Sequence, residues 1–111
     1  MENRLVIVAY KPLPGKETEL EKLVLKHHAR LIAEGLVTSN RPFIGKAKDG
    51  TLLEIFEWLS PEAIQTAHSN PSVLAMWNEF ATACEYIPTG QVPELQQLFS
   101  EFTVIGIPEK Y

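Results

Sequence analysis

The stretch Thr51–Trp77 gathers most of the side chains with chemistry to offer: Glu54, Glu57, Trp58, His68 and Trp77. Histidine changes charge nearest to neutral pH, so one held on an apolar helix side can act as a general base. His68 is that candidate, sharing the apolar side of a short helix with Ile64 and Ala67. Glu54 falls on an otherwise apolar strand face, which suits either a carboxylate at the wet margin of a sheet or an acid facing a pocket. Trp58, Trp77, Phe56 and Tyr10 could wall such a pocket, and His27, midway along the first helical pattern, adds another polar group.

Each of these residues also has a purely structural reading. His68 and His27 fit as core histidines satisfied by one hydrogen bond each. Trp58 fits as a cross-strand cation–π partner of Arg41. Trp77 fits as core packing. His27 and His28 point about 100° apart on a helix, so they cannot share one metal from the same face. Cys84, the single cysteine, excludes an internal disulfide and a thiolate cluster, and its place in an apolar pattern reads as an inert core thiol.

The totals narrow the function classes. A chain of 111 residues forms one domain, and its 45% apolar and 22% charged content is ordinary for a globular protein. No apolar run approaches the roughly 20 residues of a membrane span, and the N-terminus lacks a signal-peptide pattern, so a soluble cytoplasmic protein is expected. Net charge is −4, with every cation but Lys110 lying between Arg4 and Lys48. No clustered cations are available to neutralise phosphates, so nucleic acid is not an expected partner. No glycine-rich nucleotide loop and no H-E-x-x-H motif is present.

The elements that must position these side chains are legible in order. Arg4–Tyr10 is a β-branched run typical of a strand buried on both faces. Lys11–Gly15 breaks it, and a helix is expected from about Glu17 to Glu34, with Leu20, Leu23, Val24, His27 and Leu31 inward and Gly35 as its stop. Pro42–Lys48 and Thr51–Trp58 read as strands joined by Asp49-Gly50. A two-residue loop would set Lys46 opposite Leu53, Ile44 opposite Ile55 and Arg41 opposite Trp58. It would also put Phe43, Gly45 and Ala47 on the face of Glu54, with Ile44 and Lys46 on the other.

Ser60-Pro61 and Asn70-Pro71 are successive cap-plus-proline helix starts. The second helix pattern runs through Val73, Trp77, Phe80, Ala81 and Cys84 as far as Ile87. After a linker and a short helical piece at residues 94–99, residues 101–107 read as the last strand, and residues 108–111 as tail. The order predicts an α+β, ferredoxin-like β-α-β-β-α-β arrangement with an antiparallel sheet; a doubly wound parallel sheet is the alternative. Both strand faces are substantially apolar, whereas two or three helices can cover only one. A second copy of the chain is the simplest cover for the other.

The first strand with Pro14-Gly15-Lys16-Glu17, then Glu57-Trp58-Leu59-Ser60-Pro61-Glu62-Ala63, then Ala67-His68-Ser69-Asn70-Pro71, and finally Leu98-Phe99 with Phe102, resemble the antibiotic-biosynthesis-monooxygenase-like (ABM) family of the dimeric α+β barrel superfamily. The resemblance implies a homodimer whose sheets face each other as a barrel, with a pocket between each sheet and its helices. It implies oxygenation of a small aromatic or quinol-like metabolite without flavin or metal, with His68 as the base; Tyr10, His27, Glu54, Phe56, Trp58 and Trp77 are compatible with lining such a pocket. The haem-degrading branch fits less well, because Asn78 falls near the position of its iron ligand and the first strand contains no Asn. A homodimer that binds an apolar ligand without turnover, or has only a structural role, is the alternative from a different class.

Overall fold

The computed structural model describes residues 2–106. Strand β1 is Arg4–Pro12, followed by helix α1, Glu17–Ala33. Strands β2, Phe43–Lys46, and β3, Leu52–Trp58, precede helices α2, Pro61–Ala67, and α3, Pro71–Ala81. Strand β4, Cys84–Ile87, and a two-residue strand β5, Thr103–Val104, complete an α+β fold, with two 3-10 turns between them at Thr89–Gln91 and Pro93–Gln96. All strand pairs are antiparallel, in the order β4-β1-β3-β2-β5. The parallel alternative is therefore excluded.

The helix ends follow the sequence closely. Gly35 takes φ +72°, and Gly35 N and Leu36 N donate to Ile32 O and Leu31 O, closing α1 in a Schellman motif. Ser60 Oγ accepts from Ala63 N at 3.1 Å. Asn70 Oδ1 accepts from Ser72 N and Val73 N. Each cap satisfies backbone donors that would otherwise be orphaned, and the following proline supplies a preset φ.

Two expectations are corrected. The Asp49-Gly50 hairpin has a three-residue loop: Ala47 N donates to Thr51 O, Gly50 N donates to Ala47 O, and Gly50 adopts φ +94°. Asp49 Oδ1 accepts from Thr51 N, so one extra residue enters the turn. Lys46 therefore faces Leu52 and Ile44 faces Glu54, one step from the expected register. Because side chains alternate, that step moves Ile44 and Lys46 onto the face of Glu54, and Phe43, Gly45 and Ala47 onto the face of Leu53. Trp58 pairs with Arg4 and bridges to Val37, so Arg41 is not its cross-strand partner.

The second correction concerns the end of α3. The helix stops at Ala81 and Cys84–Ile87 is a strand along β1, pairing Tyr10 with Tyr86 and Pro12 with Cys84. Between residues 101 and 106 only Thr103–Val104 is strand, at the opposite edge beside β2. Ile107 and the tail at 108–111 lie outside the described residues.

One sheet face, with Tyr10, Ile44, Leu52, Phe56 and Trp58, packs against Leu20, Val24 and Leu31 of α1 and Val73, Met76 and Phe80 of α3. The other face holds a smaller cluster of Ala9, Ala47, Leu53 and Val92, bordered by Leu95 and Phe102. Beyond that cluster Leu5, Ile7, Phe43 and Val104 are exposed. Gly45 marks where β5 closes on the sheet, since a Cβ there would sit 2.7 Å from Phe102 Cβ. Gly45→Val should cost about 1–3 kcal/mol by overpacking, and denaturant titration showing no loss would mean that the 100–106 segment does not rest on the sheet.

Candidate functional site

The core face of the sheet holds a buried polar network at the junction of β1, β3 and α1. Alternation in β3 points Leu52, Glu54, Phe56 and Trp58 toward the helices, and β1 sends Val6, Val8 and Tyr10 the same way. Glu54 is 0% exposed. Its Oε1 accepts the Tyr10 hydroxyl at 2.6 Å and lies 2.9 Å from His27 Nδ1. A carboxylate oxygen already accepting a phenol is an acceptor, so Nδ1–H is assigned as the second donor. In the neutral ring that tautomer leaves His27 Nε2 as a lone-pair acceptor, and Nε2 has no hydrogen-bond partner among the described residues.

His27 is clamped by rings. Phe56, Phe80 and Tyr10 lie edge-on to it, with centroids at 5.4, 5.2 and 6.4 Å. Beside it opens a cleft of about 340 Å³, lined by Val6, Val8, Tyr10, His27, Phe56, Trp58, Trp77 and Tyr86. Its wall is aromatic and aliphatic, and neither Lys, Arg, Asp nor Glu belongs to it. Such a surface suits a flat, uncharged ring system.

The structure brings together six of the residues picked from sequence. Tyr10, His27, Phe56, Trp58 and Trp77 line the cleft, and Glu54 lies beneath it, bonded to two of them. His68 lies elsewhere: it is exposed, follows the last residue of α2, and hydrogen-bonds through Nδ1 to Ile64 O at 2.8 Å. It approaches the cleft only through Trp77, whose ring it meets edge-on at 5.3 Å. Glu57 points to the other sheet face and accepts from Thr38 Oγ1 and Asn40 Nδ2. His28 is buried with Nε2 on Thr38 O at 2.9 Å, and burial lowers its pKa. Asn78 faces a larger groove of about 600 Å³ between α1 and α3, lined by charged surface residues including the paired Arg30 and Glu79.

Val6, Val8 and Tyr86 line the cleft without having been expected there, and Tyr86 is the aromatic one among them. Counted from Val73 it continues the α3 pattern, whereas in β4 Tyr86 stands beside Tyr10, with ring centroids 5.4 Å apart. The alternating run Cys84-Glu85-Tyr86-Ile87, ending at a proline, is the signal that could have found it. Among the described residues, no three His, Cys, Asp or Glu side chains come together as a metal site. Comparison with protein-family models, curated proteins and solved structures gave no match.

Burial, helped by the neighbouring Glu54, holds the Tyr10 phenol well above its ordinary value. Burial likewise pushes the Tyr86 phenol up to about 12 and the Cys84 thiol to about 11. All three hold their protons more tightly folded than unfolded, so their contribution to stability is complete below their unfolded values and declines as pH rises toward the folded ones. Unfolding free energy should therefore fall as pH is raised beyond about 9 to 10, the ordinary thiol and phenol range. Denaturant titrations at stepped alkaline pH check this, and a stability that rises there would contradict it.

Proposed function

We propose that the chain binds a small phenolic or quinol-like aromatic in the cleft and oxygenates it without a cofactor, with His27 as the base and Glu54 as the residue that orients it. The observation behind this reading is the Tyr10–Glu54–His27 network beneath an aromatic cleft, with His27 Nε2 unpartnered at its wall. A phenolic O–H placed against Nε2 would give up its proton as the ring becomes electron-rich enough to reduce O₂. Glu54 would stabilise the imidazolium formed, as a carboxylate behind a histidine does in other acid–base sites. The balance needs no outside reductant: a phenol with a free para carbon and O₂ give the para-quinone and water. The apolar wall would keep water from the intermediates.

The resemblance to the ABM-like family supports the same reaction class, although it favoured His68 as base. The exposed position of His68 and its bond to a backbone carbonyl favour His27 instead. The sheet order is compatible with a ferredoxin-like unit carrying β5 as an added edge. Leu5 at 65%, Ile7 at 49% and Phe43 at 69% exposure form the uncovered part of the outer sheet face. A homodimer closing a barrel through that face would bury them.

Two experiments test these readings. His27→Gln should lower turnover of α-naphthol, followed as O₂ consumption and quinone formation, by about 10² or more, while its binding changes little. His68→Ala should leave turnover within about twofold. Unchanged turnover in His27→Gln with loss in His68→Ala would return the base to His68, and binding without turnover in the wild type would leave a non-catalytic ligand-binding protein. For the dimer, light scattering should give twice the chain mass. An Ile7→Glu, Phe43→Glu variant should give the single-chain mass, since a stable interface needs on the order of 1,000 Å² of complementary surface. A wild type of single-chain mass at every concentration would rule out the barrel.

A further inference from the structure

The Tyr10–Glu54 contact has a second capacity that acid–base work does not use. Tyr10 is 1% exposed, and its hydroxyl donates to Glu54 Oε1 at 2.6 Å, the length of a charge-assisted bond between a phenol and a carboxylate. Glu54 Oε2 is buried and has no hydrogen-bond partner among the described residues. An orphaned carboxylate oxygen is costly while the group is ionised, and a proton accepted by the carboxyl removes that charge. Tyr86 joins Tyr10 to the surface: its ring centroid is 5.4 Å from that of Tyr10, and it is 51% exposed.

A phenol that loses one electron becomes a strong acid. In a dry core the radical cation would be an unpaired buried charge, so the proton must leave together with the electron, to a base already in contact. Burial and the neighbouring Glu54 hold the Tyr10 phenol well above its ordinary value, so at neutral pH no phenolate is present to be oxidised alone. Of the oxidisable rings lining the cleft, Tyr10 is the one whose proton points at a carboxylate among the described residues.

We propose that Tyr10 is a redox-active tyrosine, oxidised by one electron to a neutral tyrosyl radical, with Glu54 as its proton acceptor and Tyr86 as its link to solvent. The step balances. Tyr10–OH, ionised Glu54 and a one-electron oxidant of the peroxyl-radical class in the cleft give the Tyr10 radical, the Glu54 carboxylic acid and the peroxide anion. Repair runs outward: an electron passes from Tyr86 to Tyr10, Glu54 returns its proton to Tyr10, and the Tyr86 proton goes to water. A thiol in solution then gives a hydrogen atom to the Tyr86 radical and leaves as a thiyl radical. This activity lies outside the reading of His27 as a base and needs no particular ligand in the cleft.

Photo-oxidation with tris(bipyridine)ruthenium(II) and persulfate, followed by freeze-trapped electron paramagnetic resonance, tests the assignment. Tyr111→Phe removes the tyrosine outside the described residues and leaves Tyr10 and Tyr86. That protein should give a tyrosyl radical whose spectrum carries a coupling to an exchangeable proton, lost in D₂O, from the proton shared by Tyr10 and Glu54. Adding Glu54→Gln keeps an acceptor oxygen for the hydroxyl and removes the base. The lifetime of the signal should then fall about tenfold or more, the worth of one hydrogen bond to a charged group. Adding Tyr86→Phe instead should keep the coupled signal and slow its appearance, because the half-exposed ring through which the oxidant acts is gone.

A tyrosyl signal without the exchangeable coupling, or a lifetime unchanged by Glu54→Gln, would overturn the role of Tyr10. Radicals confined to tryptophan would overturn it as well, and an unchanged rate of appearance in Tyr86→Phe would remove Tyr86 from the path. None of these results touches His27 as a base, and absence of phenol turnover would leave the Tyr10 radical standing. The coupling in the Tyr111→Phe protein decides the matter even if Glu54→Gln does not fold.

Discussion

A carboxyl group sealed inside a small sheet-and-helix core is the constraint around which this structure is built. Moving an ionised carboxylate out of water costs several kcal/mol unless donors replace the lost hydration. Glu54 receives two such donors on one oxygen, the Tyr10 hydroxyl from β1 and His27 from α1. Both depend on register. Tyr10 reaches Glu54 because β1 pairs with β3 so that Val8 faces Glu54 and Tyr10 faces Leu52. His27 reaches it because Leu20, Val24 and Leu31 seat the same side of α1 on the sheet. These two polar contacts thus fix the relative placement of three elements that the apolar core alone would hold less specifically.

The same arrangement produces the cleft. The first half of β1 is less covered than the second: Val6 and Val8 remain half-buried while Tyr10 is fully enclosed. The aromatic rings of β3, α3 and β4 surround that uncovered stretch, with the polar network at its inner end. On the opposite sheet face the 3-10 turns and the 100–106 segment cover Ala9, Ala47 and Leu53 but stop short of Leu5, Ile7 and Phe43. Both faces of the sheet therefore present apolar surface, with the buried Glu54 network on the face toward the helices.

Much of this was legible locally. Caps at Ser60 and Asn70, the glycine stop at Gly35, the inward stripe of α1 and the alternation of β3 are short-range signals, and each appears where the sequence places it. Where the structure departs from the local pattern, long-range pairing is the cause. Cys84–Ile87 fits a helical spacing when counted from Val73 and a short strand with Cys84 and Tyr86 on one face, and pairing with β1 decides between them. The Asp49-Gly50 pair announces a turn but not its length; the Asp49 side chain holding Thr51 N adds the residue that shifts the register. The apolar side of a short helix points to His68, whereas the buried pair joins residues 27 and 54, and no spacing rule connects a helix to a strand two elements away. Glu54 as a charge on an apolar face and His27 on the inward stripe of α1 are the local traces of the network.

Glu54, by accepting from Nδ1–H, fixes the His27 tautomer and leaves Nε2 toward the cleft. Heteronuclear NMR of protein labelled in histidine nitrogen reads this directly, since protonated and bare ring nitrogens resonate far apart. In the neutral ring, the wild type should show Nδ1 protonated and Nε2 bare, with the Nε2 signal moving on addition of a phenol and the tautomer preference relaxing in Glu54→Gln. A neutral ring carrying its proton on Nε2, with neither nitrogen responding to a phenol, would mean that Glu54 does not set the tautomer and that His27 is not the base.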